Sequence, residues 1–163
     1  IRQQFVAIVN ELFSDVDVIA GVATGGIPQG VLVAQDLGKP FVYVRPSEKA
    51  HGLQNKIEGD IKEGQTVVVI EDLVSTGKSS LQAVEALRAS GCQVKGMAAI
   101  FTYNLDVAKK AFEDADVKLS TITDYHTLID LAAEENFIRT EDLDSLAEWR
   151  KNPELWSEKR MND

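Results

Sequence analysis

The sequence predicts an α/β fold, a doubly wound, mostly parallel sheet flanked by helices. Three observations carry this expectation. Short apolar runs rich in Val and Ile recur along the chain, helical spacing fills most of the gaps between them, and no apolar run approaches the roughly 18 residues of a membrane span. Strands that are apolar throughout are buried on both faces, which calls for right-handed helical crossovers on both sides of a parallel sheet.

In chain order, the amphipathic stretch Phe5 to Phe13 comes first. Strands are predicted at Val18–Gly21, Phe41–Val44, Thr66–Ile70, Gly96–Phe101 and Val117–Ser120. Helical spacing appears at Ile27–Leu37, Ser80–Arg88, Leu105–Phe112 and Tyr125–Ala133. Ser79 or Ser80 is suited to cap the third of these stretches counted from Phe5, and Ser90-Gly91 supplies the glycine stop that such a helix prefers. The polar stretch Arg45 to Glu63 breaks the alternation and reads as a mobile functional loop or an exposed hairpin. The tail from Thr140 to Trp156 reads as a loop and a short helix carrying Leu143, Leu146 and Trp149.

The 163 residues suffice for one compact domain spanning 1–163. A formal charge of -9 argues against broad nucleic-acid or membrane-surface binding, since either favours a positive face. The lone Cys92 excludes an internal disulfide framework and points to a reducing, cytoplasmic setting.

The chemistry gathers at two strand-to-helix turns. Ligands of a doubly wound sheet sit outside the carboxyl ends of its strands, and there the chain carries Glu71-Asp72 followed by Leu73, Val74, Ser75, Thr76, Gly77, Lys78 and Ser79. Gly77-Lys78-Ser79 ends like a nucleoside-triphosphate loop, but Asp72 stands where that motif needs its first glycine. Hydroxyls, a glycine and a helix N-terminus fit a phosphate monoester. Two carboxylates, acceptors when ionised, fit vicinal sugar hydroxyls, so the ligand indicated is a ribose 5-phosphate. In isolation such an acid pair is more often a solvated strand end, and such serines a plain cap. A second glycine-rich turn, Gly21-Val-Ala-Thr-Gly-Gly-Ile-Pro28, in the same position after the first strand reverses that balance. His126 reads as a helix-start residue with no assigned role, and Lys78 is equally at home in solvent.

The segment Val67 to Ser80 resembles the phosphoribosyl-pyrophosphate signature of type I phosphoribosyltransferases: an apolar strand, two acids, two apolar residues and a Ser/Thr-rich glycine turn. The chain as a whole resembles the orotate-specific branch of that family through Gly21 to Pro28, Arg45-x-x-x-Lys49-x-His51-Gly52, Asn55-x-Ile57-Glu58-Gly59 and Ala99 to Tyr103. The resemblance implies the type I phosphoribosyltransferase fold, with Glu71 and Asp72 on the ribose hydroxyls and the turn ending at Ser79 on the 5-phosphate. It places Ala23, Thr24, Gly25 and Gly26 on the pyrophosphate, with a strained or cis peptide bond between Ala23 and Thr24. It makes Arg45, Lys49 and His51 a closing catalytic loop, with Asp72 beside them. The substrates implied are phosphoribosyl pyrophosphate and orotate, with Mg2+ held mainly through the substrate near Asp72. The resemblance also implies a homodimer with shared active sites, and a preceding hood segment that this chain lacks.

The chain departs from the family pattern in places: Pro46 and Ser47 follow Arg45 where a further lysine is common, Ala50 stands where aspartate is frequent, and Gly25 replaces a lysine of some relatives. No arginine lies around Tyr103 and Asn104 to grip the base. The rival readings are a phosphoribosyltransferase acting on a purine or uracil, and a non-catalytic sensor of phosphoribosyl pyrophosphate.

Overall fold

A computed structural model describes residues 1–45, 56–153 and 155–157. It holds one six-stranded sheet wrapped by helices. The elements in order are α1 (Arg2–Leu12), β1 (Val18–Val22), α2 (Gly26–Leu37), β2 (Phe41–Val44), β3 (Ile57–Glu58), β4 (Thr66–Val74), α3 (Lys78–Ala89), β5 (Gln93–Thr102), α4 (Asp106–Asp114), β6 (Leu119–Asp124), α5 (Tyr125–Glu134), a 3-10 turn (Thr140–Asp142) and α6 (Leu143–Lys151). The sheet order is β3-β2-β1-β4-β5-β6, parallel except for the β2–β3 pair. The expected doubly wound architecture therefore holds.

The side-chain period of two splits β4 between two apolar layers. Val67 and Val69 join Ala83, Leu87 and Phe112 under α3 and α4, whereas Val68 and Ile70 join Phe5, Val9 and Val33 under α1 and α2. β1 is buried along its whole length, as its unbroken apolar run requires. After β1 the chain first steps outward to β2, then returns to lay β4 on β1's other side. The carboxyl ends of β1 and β4 thus flank the point where the winding reverses, the place where such sheets open a crevice.

Three expectations need correction. The last strand is not Val117–Ser120 but Leu119–Asp124, because the Val117 amide closes α4 by donating to the Phe112 carbonyl at 3.0 Å. Neither Ser79 nor Ser80 caps α3: the cap position is Gly77, at φ 82°, and no side-chain hydrogen bond serves it. Nor does β4 stop at Ile70. It pairs with β5 through Val74↔Thr102, whereas its pairing with β1 ends at Gly21↔Ile70, so Glu71 to Val74 run past the last pair with β1. The polar stretch after β2 returns as β3, antiparallel to β2 with Val44 opposite Ile57, which realises the hairpin alternative for its second half. Ser90 closes α3, and Gly91 follows at φ 81°. The tail helix α6 docks through Trp149, stacked 5.3 Å from Tyr125, and through Arg150, which donates to the Asn104 carbonyl at 2.8 Å.

Candidate active site

The end of β4 and the turn after β1 enclose a cavity of about 170 Å³, reached by Ala23, Thr24, Gly25, Arg45, Glu71, Asp72, Leu73 and Ser79. Two larger hollows, of about 550 Å³ beside α3 and about 410 Å³ between α4 and β6, lack the acid pair. Convergent polar groups at the winding reversal, not volume, single out the smaller one. The larger hollow beside α3 shares Lys56 and Gln82 with it, so the two adjoin.

The first wall is a turn whose two glycines, Gly25 and Gly26, leave no room for a side chain. A Cβ at Gly25 would overlap the Asp72 carboxylate, and one at Gly26 would overlap the Ile70 carbonyl oxygen. The backbone here therefore approaches β4 as closely as a chain can. The peptide bond between Ala23 and Thr24 is cis, in line with the resemblance. The Ala23 amide donates to the Val44 carbonyl at 2.9 Å, and α2 begins at Gly26, so its N-terminus points into the cavity region.

The second wall is β4 and the start of α3. Asp72 is exposed, but Glu71 is only 4% exposed. Glu71 Oε1 accepts from the Asp72 amide at 3.0 Å, and Oε2 accepts from the Ser80 hydroxyl at 2.9 Å. Burial pushes the Glu71 carboxyl up to about 8 and the neighbouring Asp72 side chain adds to the rise, while the hydrogen bonds from Ser80 and the Asp72 amide oppose it. Ser75, Thr76, Lys78 and Ser79 are exposed around the start of α3, but only Ser79 of this turn reaches the cavity itself. Gly77 packs against the Phe112 ring of α4, where a Cβ would come within 2.8 Å, and its positive φ suits glycine alone. Val74 is wholly buried in the core, so its side chain is not a ligand contact. Leu73, by contrast, is 41% exposed at the cavity rim.

Arg45 directly follows β2 with its guanidinium 3.3 Å from Glu58 Oε1, and its amide donates to the Lys56 carbonyl at 2.8 Å. The other loop cations, Lys49 and His51, lie outside the described residues, as do Pro46, Ser47, Ala50, Gly52 and Asn55. Among the described residues no three His, Cys, Asp or Glu side chains are grouped to hold a metal ion, and no helix is long and apolar enough to cross a membrane. Sequence reasoning missed Lys56, Gln82 and Ser80. Lys56 was hidden in a uniformly polar stretch, and the link from Ser80 to Glu71 spans a strand and a helix that share no sequence period.

The chain belongs to the phosphoribosyltransferase family: the profile of the Phosphoribosyl transferase domain matches residues 1–135. Within that family it is similar to the orotate phosphoribosyltransferase of Bacteroides fragilis, 53% identical over 156 residues that make up 96% of this chain and 74% of that protein. Among solved structures it is similar to orotate phosphoribosyltransferase from Aeropyrum pernix, with a TM-score of 0.71 at 29% identity, covering 79% of this chain and 72% of that one. It is also similar to the Mycobacterium tuberculosis H37Rv orotate phosphoribosyltransferase in complex with 5-phospho-alpha-D-ribosyl 1-diphosphate, with a TM-score of 0.65 at 26% identity, covering 77% of this chain and 71% of that one.

Proposed function

We propose that this chain transfers ribose 5-phosphate from phosphoribosyl pyrophosphate to N1 of orotate, releasing pyrophosphate and giving orotidine 5'-monophosphate for pyrimidine synthesis in the cytoplasm. One observation carries the reading: Ala23, Thr24 and Gly25 of the close-packed turn and the acid pair of β4 share one cavity with Ser79, at the reversal point of the sheet. The relatives named above favour orotate over a purine or uracil.

In this reading the α3 N-terminus and the Ser75–Ser79 turn take the 5-phosphate, the Asp72 and Glu71 carboxyls hold the ribose hydroxyls by hydrogen bonds, and the backbone of Ala23–Gly26 faces the diphosphate. The bond from ribose C1 to the diphosphate oxygen breaks with its electron pair leaving on oxygen, and N1 of the base forms the new bond to C1 while its proton passes to the departing diphosphate or to water. Positive charge grows on the ribose and negative charge on the leaving group. Catalysis is then positioning, exclusion of water and neutralisation of the departing diphosphate by Lys49, His51 and Arg45. Arg45 would have to exchange Glu58 for the diphosphate to take part.

Magnesium fits this donor set, because the ion favours phosphate oxygens with one or two carboxylates, and Asp72 lies against Gly25 of the diphosphate turn. Bound there it supplies charge neutralisation of the diphosphate. A sensor without turnover is the weaker reading, since the acidic chain offers no basic face for nucleic acid.

The test is magnesium-dependent consumption of phosphoribosyl pyrophosphate with orotate, uracil and adenine in parallel. Turnover with orotate alone is expected, and turnover confined to another base overturns the assignment. The shared homodimer site is tested by mixing Lys49→Ala with Asp72→Asn subunits. Restored activity is expected, and none under proven subunit exchange means that each site is built from a single chain.

A further inference from the structure

We propose that Ser80 is a positioning residue for the ribose-binding acid: its hydroxyl, on the first turn of α3, fixes the Glu71 carboxyl and so ties the sugar end of the site to the phosphate end. The inference rests on the reading that Glu71 meets the ribose. A serine in the first turn of a helix ordinarily turns back to the helix's own free amides. Ser80 does not. It is 1% exposed, and its hydroxyl crosses from α3 to β4 to reach Glu71 Oε2 at 2.9 Å. With the Asp72 amide on Oε1, both oxygens of the Glu71 carboxyl are held by donors from two different elements.

A protonated carboxyl offers one O–H donor and lone pairs on both oxygens, so the donors from Ser80 and the Asp72 amide leave it a donor and further acceptor capacity for sugar hydroxyls while fixing the plane of the group. Preorganisation of this kind matters most where the carboxyl is buried, because a free rotor would have to be ordered when ligand arrives. Ser80 also follows directly on Ser79, which lines the cavity. Any shift of the α3 N-terminus onto a phosphate therefore carries the Glu71 carboxyl with it. Among the described residues every buried side-chain nitrogen or oxygen has a hydrogen-bond partner, so removing this hydroxyl opens a defect where none exists.

The experiment measures phosphoribosyl pyrophosphate affinity by calorimetry with magnesium and no base, and the KM values of both substrates, in Ser80→Ala, Ser80→Cys and Ser80→Thr. Loss of the donor should weaken phosphoribosyl pyrophosphate binding and raise its KM by roughly tenfold, with the KM for orotate and kcat changed less than about twofold. Ser80→Cys keeps the volume and should follow Ser80→Ala, whereas Ser80→Thr keeps the hydroxyl and should restore affinity. In a Glu71→Ala background Ser80→Ala should add little, because the group it positions is gone.

Unchanged affinity in folded Ser80→Ala overturns the proposal. So does an equal loss from Ser80→Ala in the wild-type and Glu71→Ala backgrounds, which would mean that Ser80 acts without Glu71. A wild-type protein that binds phosphoribosyl pyrophosphate but leaves orotate unconsumed refutes the choice of base and leaves this inference standing, whereas one that binds no phosphoribosyl pyrophosphate refutes both.

Discussion

The turn after β1 and the turn after β4 face the same cavity and are built on opposite principles. The first is defined by what cannot be present. Gly25 and Gly26 touch β4 so closely that a methyl group at either would overlap the Asp72 carboxylate or the Ile70 carbonyl. The second is defined by what it offers: exposed hydroxyls at Ser75, Thr76 and Ser79 around a helix N-terminus, with only Gly77 under steric constraint. A turn made of exclusions fails abruptly when altered, whereas a turn made of several donors loses function a portion at a time.

Gly25→Ala should therefore give the largest effect. Overlap with Asp72 forces either the turn or the carboxylate aside, and overpacking of about 1–3 kcal/mol corresponds to a loss in kcat/KM of up to about a hundredfold. Steady-state kinetics on the folded variant checks this, and near-normal activity would dissolve the contrast between the turns. Asp72→Asn comes next. An amide replaces a pure acceptor for the sugar hydroxyls, with an expected loss of roughly thirtyfold in phosphoribosyl pyrophosphate affinity by calorimetry, the scale of a hydrogen bond to a charged group. Ser75→Ala should weaken that affinity by only about threefold to fivefold, because neighbouring hydroxyls and helix amides share the phosphate. A loss as large as that of Gly25→Ala would make the second turn as intolerant as the first.

The smallest effect concerns pH, and it belongs to the β4 side alone. Glu71 holds its proton to about 8 in the fold against an ordinary value of 4.5. Between those values the folded chain binds more protons than the unfolded one. The stability from this group is thus fully present below about 4.5 and is lost as pH rises through 8. Melting temperatures from pH 5 to 8.5 should decline, and Glu71→Gln should flatten the decline. Asp17 and Asp124, held low by hydrogen bonds from Thr66 and Thr127, act at more acid pH and leave that window clear.

The same contrast marks what can be read from the chain. Donors announce themselves by residue type, so the Glu71 to Ser79 segment is legible, as are β1, β2 and α2 from their unbroken apolar runs and helical period. Steric exclusion does not announce itself. Gly25 reads as a missing lysine until Asp72 is seen pressed against it. β6 escapes its expected place because its Ser120, Thr121 and Thr123 are half-buried at the sheet edge and give no apolar run. β4 outruns its expected end because its last residues include two acids, which strand propensity disfavours but pairing with β5 retains. Ser80 reads as a cap because its partner lies on another element.

The β2–β3 pairing sets a leash. Residues 46–55 depart from Arg45 and return at Lys56, and the bond between the Arg45 amide and the Lys56 carbonyl, with the Arg45–Glu58 ion pair beside it, knots both ends at the rim of the cavity. Lys49 is four residues along the sequence from Arg45 and His51 five from Lys56, and a chain extends at most about 3.5 Å per residue, so covalent geometry alone sets limits of roughly 14 and 18 Å on such separations. The radius acts as a ruler for any assembly. If these cations serve a neighbouring subunit's cavity, that cavity's mouth must open within that span extended by the length of a side chain, and an arrangement of two copies that sets the mouths further apart leaves each leash to serve only its own side.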